Sequence, residues 1–144
     1  MKYSKPKRLS THLKVAKLFA AESHAKRLKV GAVLIKNDRV ISTGYNGMPA
    51  GMDNDCEVKS SVDPNAPLAT RPEVTHAEMN VIGEAAAMGR ATEGCIMVTT
   101  HSPCFECAKL IKSSRISAVY YETEYRITDS LKFLKKVGIK VEKL

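Results

Sequence analysis

The sequence predicts an α/β protein in three layers, α/β/α, around a five-stranded mixed sheet. Three observations carry that prediction. Two β-branched runs early in the chain stand close enough to form a hairpin, and later short apolar runs alternate with segments of helical period. No linker, internal repeat or low-complexity stretch divides the 144 residues. The alternation implies parallel pairing in the second half of the chain and helices on both faces of the sheet. A chain of this length is expected to fold as one domain, 1–144, burying about two thirds of its surface without staples.

Residues 10–23 place Leu13, Val15, Ala16, Leu18, Phe19 and Ala20 on a helical stripe that reads as core, with Ser10 as N-cap. Residues 30–35 and 40–43 are the hairpin strands, joined by Lys36-Asn37-Asp38-Arg39, and their apolar character predicts a sheet covered on both faces. Gly44-Tyr45-Asn46-Gly47-Met48-Pro49 then stops the second strand. Asn46 stands there either as a turn former in a left-handed conformation or as an amide offered to a ligand. Residues 50–72 lack periodicity and are rich in Pro, Asn, Asp and Ser, as functional or mobile loops are. Cys56 within them reads as a lone buried thiol. Residues 75–88 read as a helix starting at or just before His76 and closed by Gly89. A strand over 95–100, a helix begun by Pro103, a strand over 117–122, a helix over 128–137 closed by Gly138 and a strand over 139–141 complete the order.

Composition narrows the class. With 44% hydrophobic and 26% charged residues the chain is neither disordered nor fibrous. No apolar run approaches the ~18 residues of a membrane span. The basic start, residues 1–8, lacks the apolar core and cleavage site of a secretory signal, so a cytoplasmic protein with reduced thiols is expected. The net charge of +8 favours anionic partners.

Against that background Cys104-x-x-Cys107 reads as a metal or redox pair rather than a disulfide. Residues three apart on one helical turn share a face, so both sulfurs can reach one ion, and a helix N-terminus favours their ionised form. His76, at the start of its own helix, supplies a third donor. Three protein ligands leave the fourth tetrahedral position of zinc to water, the mark of a catalytic site, and Glu78 is placed to move that water's proton. A structural zinc would need a fourth ligand, for which Cys56, Cys95, His24 and His101 are the candidates, and none stands at ligand spacing. His12, His24 and His101 otherwise read as surface or helix-end residues.

His76-Ala77-Glu78 with Pro103-Cys104-x-x-Cys107 matches the H-x-E…P-C-x-x-C signature of zinc nucleobase deaminases. With Val30-Gly31-Ala32-Val33, the run from Ile41 to Pro49 and His76-Ala77-Glu78-Met79-Asn80, nearly the whole chain resembles the deoxycytidylate (dCMP) deaminases, in the form of the small phage enzymes. The resemblance implies a cytidine-deaminase-like fold and hydrolysis of dCMP to dUMP and ammonia, with one Zn²⁺ per chain held by His76, Cys104 and Cys107. Glu78 would deliver protons to cytosine N3 and to the departing ammonia. The Ala77 N–H would hold the pyrimidine O2, the Ser102 carbonyl the amino group and Asn46 the sugar 3′-hydroxyl. Ser23, Arg27, Lys29, Tyr125 and Arg126 are candidates for the ribose and 5′-phosphate, against a plain reading of the cations as solvated surface charges.

The resemblance further implies a hexamer activated by dCTP and inhibited by dTTP, with the effector at Gly44, Tyr45, Asn46 and Gly47 and Mg²⁺ beside its triphosphate. Glu84 and Ala87 replace an aromatic residue and an arginine at the relatives' subunit contact, so the allosteric contacts are expected to differ. Ala25, Asp55 and Val74 stand where some relatives bind a second, structural zinc, so a single zinc is expected. The alternatives are a broader dCMP/dCTP deaminase, a tRNA adenosine deaminase and, in a different class, a non-catalytic zinc module binding RNA. The turn at 44–49 and Asn80 favour a nucleotide over nucleic acid, and no membrane partner is expected.

Overall fold

The structure, a computed structural model, describes residues 5–144, so the first half of the basic start lies outside the described residues. Helices form over Leu9–Ala20 (α1), Ala77–Ala87 (α2), Phe105–Ser113 (α3) and Asp129–Lys136 (α4). The main sheet is built from Gly31–Lys36 (β1), Arg39–Tyr45 (β2), Ile96–His101 (β5), Ala118–Thr123 (β6) and Lys140–Lys143 (β7), while Glu57–Val58 (β3) and Ala69–Thr70 (β4) pair as a separate ribbon. In the order β2-β1-β5-β6-β7, β1 is antiparallel to both neighbours, and β5, β6 and β7 run parallel. The sheet is mixed and parallel in its second half. Among the described residues no helix is long and apolar enough to cross a membrane.

Alternation along β1 builds the two halves of the core. Ala32 and Leu34 point into a cluster with Val81 and Ala85 of α2, Ala108 and Ile111 of α3 and Leu134 of α4. Val33 and Ile35 point the other way, onto Ala16 of α1 with Val98 and Tyr120. Three helices therefore cover one face and α1 the other, as right-handed β5-α3-β6 and β6-α4-β7 crossovers require. Each fully buried aliphatic side chain on β1 contributes about 1.5–3 kcal/mol of transfer free energy.

The hairpin closes through Asn37 and Asp38, whose φ values of 51° and 61° are those of a type I′ turn. Asp38 Oδ1 lies 3.0 Å from His12 Nε2. His12, expected at the surface, is therefore buried at 4% exposure against the turn. Further departures are local. Arg8, not Ser10, occupies the N-cap of α1 and makes no side-chain cap bond. The helix ends at Ala20 because the Ser23 hydroxyl accepts from the Ala25 N–H (3.1 Å) and donates to the Asn46 carbonyl (2.7 Å), turning the chain towards β1. Leu18 stands 69% exposed, so the buried stripe is narrower than the sequence suggests. β1 is buried on both faces, but β2, at the sheet edge, exposes Arg39, Val40 and Tyr45.

The glycine turn differs as well. β2 continues through Gly44 to Tyr45, and neither Gly44, Asn46 nor Gly47 has a positive φ. Gly44 is needed for close approach instead: a Cβ there would stand 2.8 Å from the Val81 nitrogen and 3.1 Å from the Ala77 carbonyl oxygen, both backbone of α2. Gly31 plays the same part under α1, where a Cβ would come within 2.0 Å of the Ala16 carbonyl oxygen. Each face of the hairpin thus lets a helix backbone settle directly on it.

Candidate active site

The first turns of α2 and α3 meet beside the end of β5. His76 is the N-cap of α2 and Cys104 the N-cap of α3, both with extended backbone, and Cys107 lies one turn further along α3. The Cys107 N–H points at the Cys104 sulfur, 3.5 Å away, so a sulfur fills the capping role that an oxygen usually takes. Pro103 therefore precedes the helix rather than opening it. Ser42 and Gly44 anchor α2 on β2, the Ser42 hydroxyl donating to the Val81 carbonyl at 2.6 Å.

His76 Nδ1 lies 3.4 Å from Cys104 Sγ and 3.5 Å from Cys107 Sγ, and all three donor atoms fall within 4.8 Å of one another. Zinc–nitrogen and zinc–sulfur bonds of about 2.0 and 2.3 Å at a tetrahedral angle put nitrogen and sulfur about 3.5 Å apart. The donor set fits zinc in both chemistry and spacing. Neither Cys56, Cys95, His24 nor His101 joins the group, so among the described residues it has three protein donors. Cys56 is a buried free thiol, with its sulfur 3.7 Å from the Asn54 carbonyl.

The electrostatics divide the two sulfurs. A hydrogen bond from the Cys107 thiol, with a second contribution from His76, brings Cys104 down to about 4. The same bond, with burial, raises Cys107. The hydrogen bond to Cys104 raises His76. Glu78 stands outside the donor group, 4% exposed on the first turn of α2, and burial raises its pKa while a hydrogen bond from Cys107 opposes the shift. A carboxyl so placed is suited to proton transfer rather than ligation.

A cavity of about 740 Å³ opens over these groups. Of the residues singled out in the sequence, His76, Ala77, Glu78, Cys104, Asn46, Arg27, Tyr125 and Arg126 line it. Cys107, which is buried, and Ser23, Lys29, Ser102, Gly44, Tyr45 and Gly47 do not. Ser23 is occupied at the turn described above, and Lys29 is exposed. Ser102 is buried and its hydroxyl accepts the Tyr125 N–H at 2.9 Å, which fastens the segment carrying Tyr125 and Arg126. Burial, with Glu78's charge next, pushes the Tyr125 hydroxyl up to about 12. Asn46 accepts from the Val30 N–H (2.9 Å) and donates to the Leu28 carbonyl (2.8 Å). Gly47 exchanges two backbone bonds with Thr75 (3.1 and 2.9 Å), and the Tyr45 carbonyl accepts from Asn80 Nδ2 at 2.8 Å.

Sequence reasoning missed part of the lining. Cys56, Glu57 and Thr70 come from the 50–72 excursion, and Phe105 and Ser130 from α3 and α4. The Ser130 hydroxyl, buried, donates to the Pro103 carbonyl at 2.7 Å and so holds the turn before Cys104. A polar residue on the otherwise apolar side of a short helix was the one signal that could have found it.

An α/β/α sheet with His, Cys and Cys at two helix N-termini and a free glutamate beside them defines a zinc-dependent deaminase, a hydrolase that exchanges an amino group for water's oxygen. The chain belongs to the cytidine and deoxycytidylate deaminase family, whose zinc-binding region its residues 6–123 match. The dCMP deaminase of cyanophage S-TIM5, solved in complex with dCMP and dUMP, superposes with a TM-score of 0.88 at 38% identity, covering 99% of this chain and 100% of that one. The deoxycytidylate deaminase of Enterobacteria phage T4 is 34% identical over 81% of this chain and 78% of its own length. That of Mycobacterium phage D29 is 36% identical over 78% and 91%.

Proposed function

We propose that this chain is a single deaminase domain, 1–144, that hydrolyses dCMP to dUMP and ammonia in the cytoplasm, supplying dUMP for thymidylate synthesis. The observation that carries the reading is one cavity lined by two unlike sets of residues. Buried Glu78 and two of the metal donors, His76 and Cys104, line it, and so do exposed Arg27 and Arg126, which suit a nucleotide's phosphate. Likeness to the cyanophage enzyme supports the choice of base and sugar.

Zinc held by His76, Cys104 and Cys107 would bring the pKa of a coordinated water towards neutrality. The protein's own groups do the rest. The Ala77 N–H, at the positive end of α2, fixes the pyrimidine O2, and the Ser102 carbonyl receives the amino group. Glu78 accepts the proton lost by water and passes it to N3; it then takes the remaining proton of the hydroxyl added at C4 and delivers it to the amino nitrogen, so that the C4–N bond breaks, ammonia leaves and the C4 carbonyl of dUMP remains. Its burial keeps that transfer away from bulk solvent. Asn46, already fixed by the 28–30 backbone, turns the remaining N–H of its amide to the sugar 3′-hydroxyl. Arg27, Tyr125 and Arg126 form the sugar and phosphate part of the lining, and Lys29 and Ser23, which stand outside it, would support it from the segment before β1.

The turn over 44–47, tied to α2 through Gly47–Thr75 and Asn80, is where we place control by dCTP and dTTP, with Mg²⁺ beside the triphosphate, in a homo-oligomer that we take to be a hexamer. Glu84 and Ala87 are both exposed on α2 and available to such a contact. Ammonia release from dCMP, deoxycytidine, dCTP, CMP and tRNA, each with and without dCTP as effector and with Glu78→Gln as control, tests the reading. Turnover of dCMP ahead of the others is expected. Inactivity on every mononucleotide would sink it, conversion of dCTP would make it a broader nucleotide deaminase, and tRNA turnover would transfer it to nucleic acid.

A further inference from the structure

The 50–72 excursion is not a loose loop. Arg71 ties it internally: its Nη1 donates to Asp53 Oδ1 (2.7 Å) and the Asp55 carbonyl (2.8 Å), its Nη2 to Glu73 (3.2 Å), and its backbone N–H to the Cys56 carbonyl (2.8 Å). The outcome is the β3–β4 ribbon, in which Glu57 and Thr70 are cross-strand partners. Both reach the same neighbour. Glu57 Oε1 accepts the backbone N–H groups of Lys26 (2.8 Å) and Arg27 (3.0 Å), and Thr70 Oγ1 accepts Arg27 Nη1 at 3.2 Å. One rung of the ribbon thus grips Arg27 by backbone and side chain together, beside the cavity that all three line.

We propose that Glu57, with Thr70, is the positioning residue that sets Arg27 for the substrate's 5′-phosphate, so that the enzyme's demand for a phosphorylated nucleoside resides in the ribbon. The inference rests on the reading of Arg27 as a phosphate contact. A carboxylate held by two N–H donors is a strong, directional fastening. Its charge alone would repel the phosphate, so removing it should tighten binding if electrostatics governed and loosen binding if positioning does.

The test is steady-state kinetics on dCMP and deoxycytidine for the zinc-loaded wild type and for Glu57→Ala, Glu57→Gln and Thr70→Val, with thermal melting as a check on folding. Glu57→Ala is expected to raise KM for dCMP about tenfold, the loss of ~1.4 kcal/mol, with kcat within about twofold and deoxycytidine unaffected. Glu57→Gln, whose amide oxygen still accepts an N–H, should recover part of that loss, and Thr70→Val should raise KM in the same direction by less. Should Glu57→Ala not fold, the other two decide. An unchanged KM, a lower KM in Glu57→Gln, or equal losses on both substrates overturns the inference. The wild type judges the underlying reading separately: if it turns over deoxycytidine as well as dCMP, phosphate recognition itself fails, whatever the variants do.

Discussion

Glu78 shows how a single buried carboxyl can serve function against stability. Its pKa is raised by burial, so the folded metal-free protein holds a proton that the unfolded chain releases above the ordinary value of 4.5. Stability from that proton is complete below the unfolded pKa and is lost as pH rises through the folded one. In urea melts of the metal-free protein, Glu78→Gln is therefore expected to be more stable than wild type at pH 7, with the difference shrinking towards pH 4. The same substitution should lower kcat by about 10²–10⁴-fold while zinc content stays the same. Cys104→Ala or Cys107→Ala should do the opposite and abolish stoichiometric zinc, measured by metal analysis. A variant at 104 or 107 that retained one tightly held zinc would remove that residue from the ligand set.

At the scale of elements, the site depends on how closely α2 lies on β2. A methyl group at Gly44 meets backbone rather than a flexible side chain, so Gly44→Ala must shift the helix that carries His76 and Glu78. A loss of about 1–3 kcal/mol is expected, with activity falling further than stability alone accounts for. Gly31→Ala, whose clash is shorter and lies under α1, should cost more stability and less activity. Denaturant melts and kcat/KM on the same preparations separate the two. The main elements were legible because their signals are local: β-branched runs, the Asn37-Asp38 turn, and Gly89 and Gly138 in left-handed conformation after α2 and α4. The zinc donors were legible because two of them share one helical turn and the third sits at a recognisable helix start. Glu57, Thr70 and Ser130 were not, since each bonds a group far along the chain, backbone for Glu57 and Ser130 and the Arg27 side chain for Thr70, and no spacing encodes such a contact. The packing role of Gly44 was hidden for the same reason, a glycine two residues before an asparagine reading first as a turn. His12 was misplaced because its partner, Asp38, arrives only when the hairpin folds over α1.

For the whole molecule, the proposed reading has the positive excess and the cavity's Arg27 and Arg126 act together on an anionic substrate. Raising ionic strength shortens the reach of those charges. KM for dCMP is thus expected to rise several-fold between about 0.05 and 0.5 M NaCl, while KM for deoxycytidine barely moves, as initial rates would show. Equal salt dependence for the two would exclude steering of the phosphate. Metal has a different standing here from that in a zinc finger. None of the three donors belongs to either hydrophobic cluster. Chelation should therefore end turnover and lower the melting temperature while far-UV circular dichroism persists.

The mutual backbone bonds between Gly47 and Thr75 bring the two ends of the excursion together in one closed neck, and the Glu57 and Thr70 bonds to residues 26 and 27 are its second tether. Length or sequence can change inside that neck without pulling on α2 or on the sheet, provided the Glu57–Thr70 rung that holds residues 26 and 27 is kept. The protein is built, in effect, from a fixed reactor and an interchangeable fitting. Transplanting residues 48–74 from a relative with other tastes should exchange which nucleotide is accepted and leave the deamination machinery running, which makes this stretch the natural place for laboratory selection to begin.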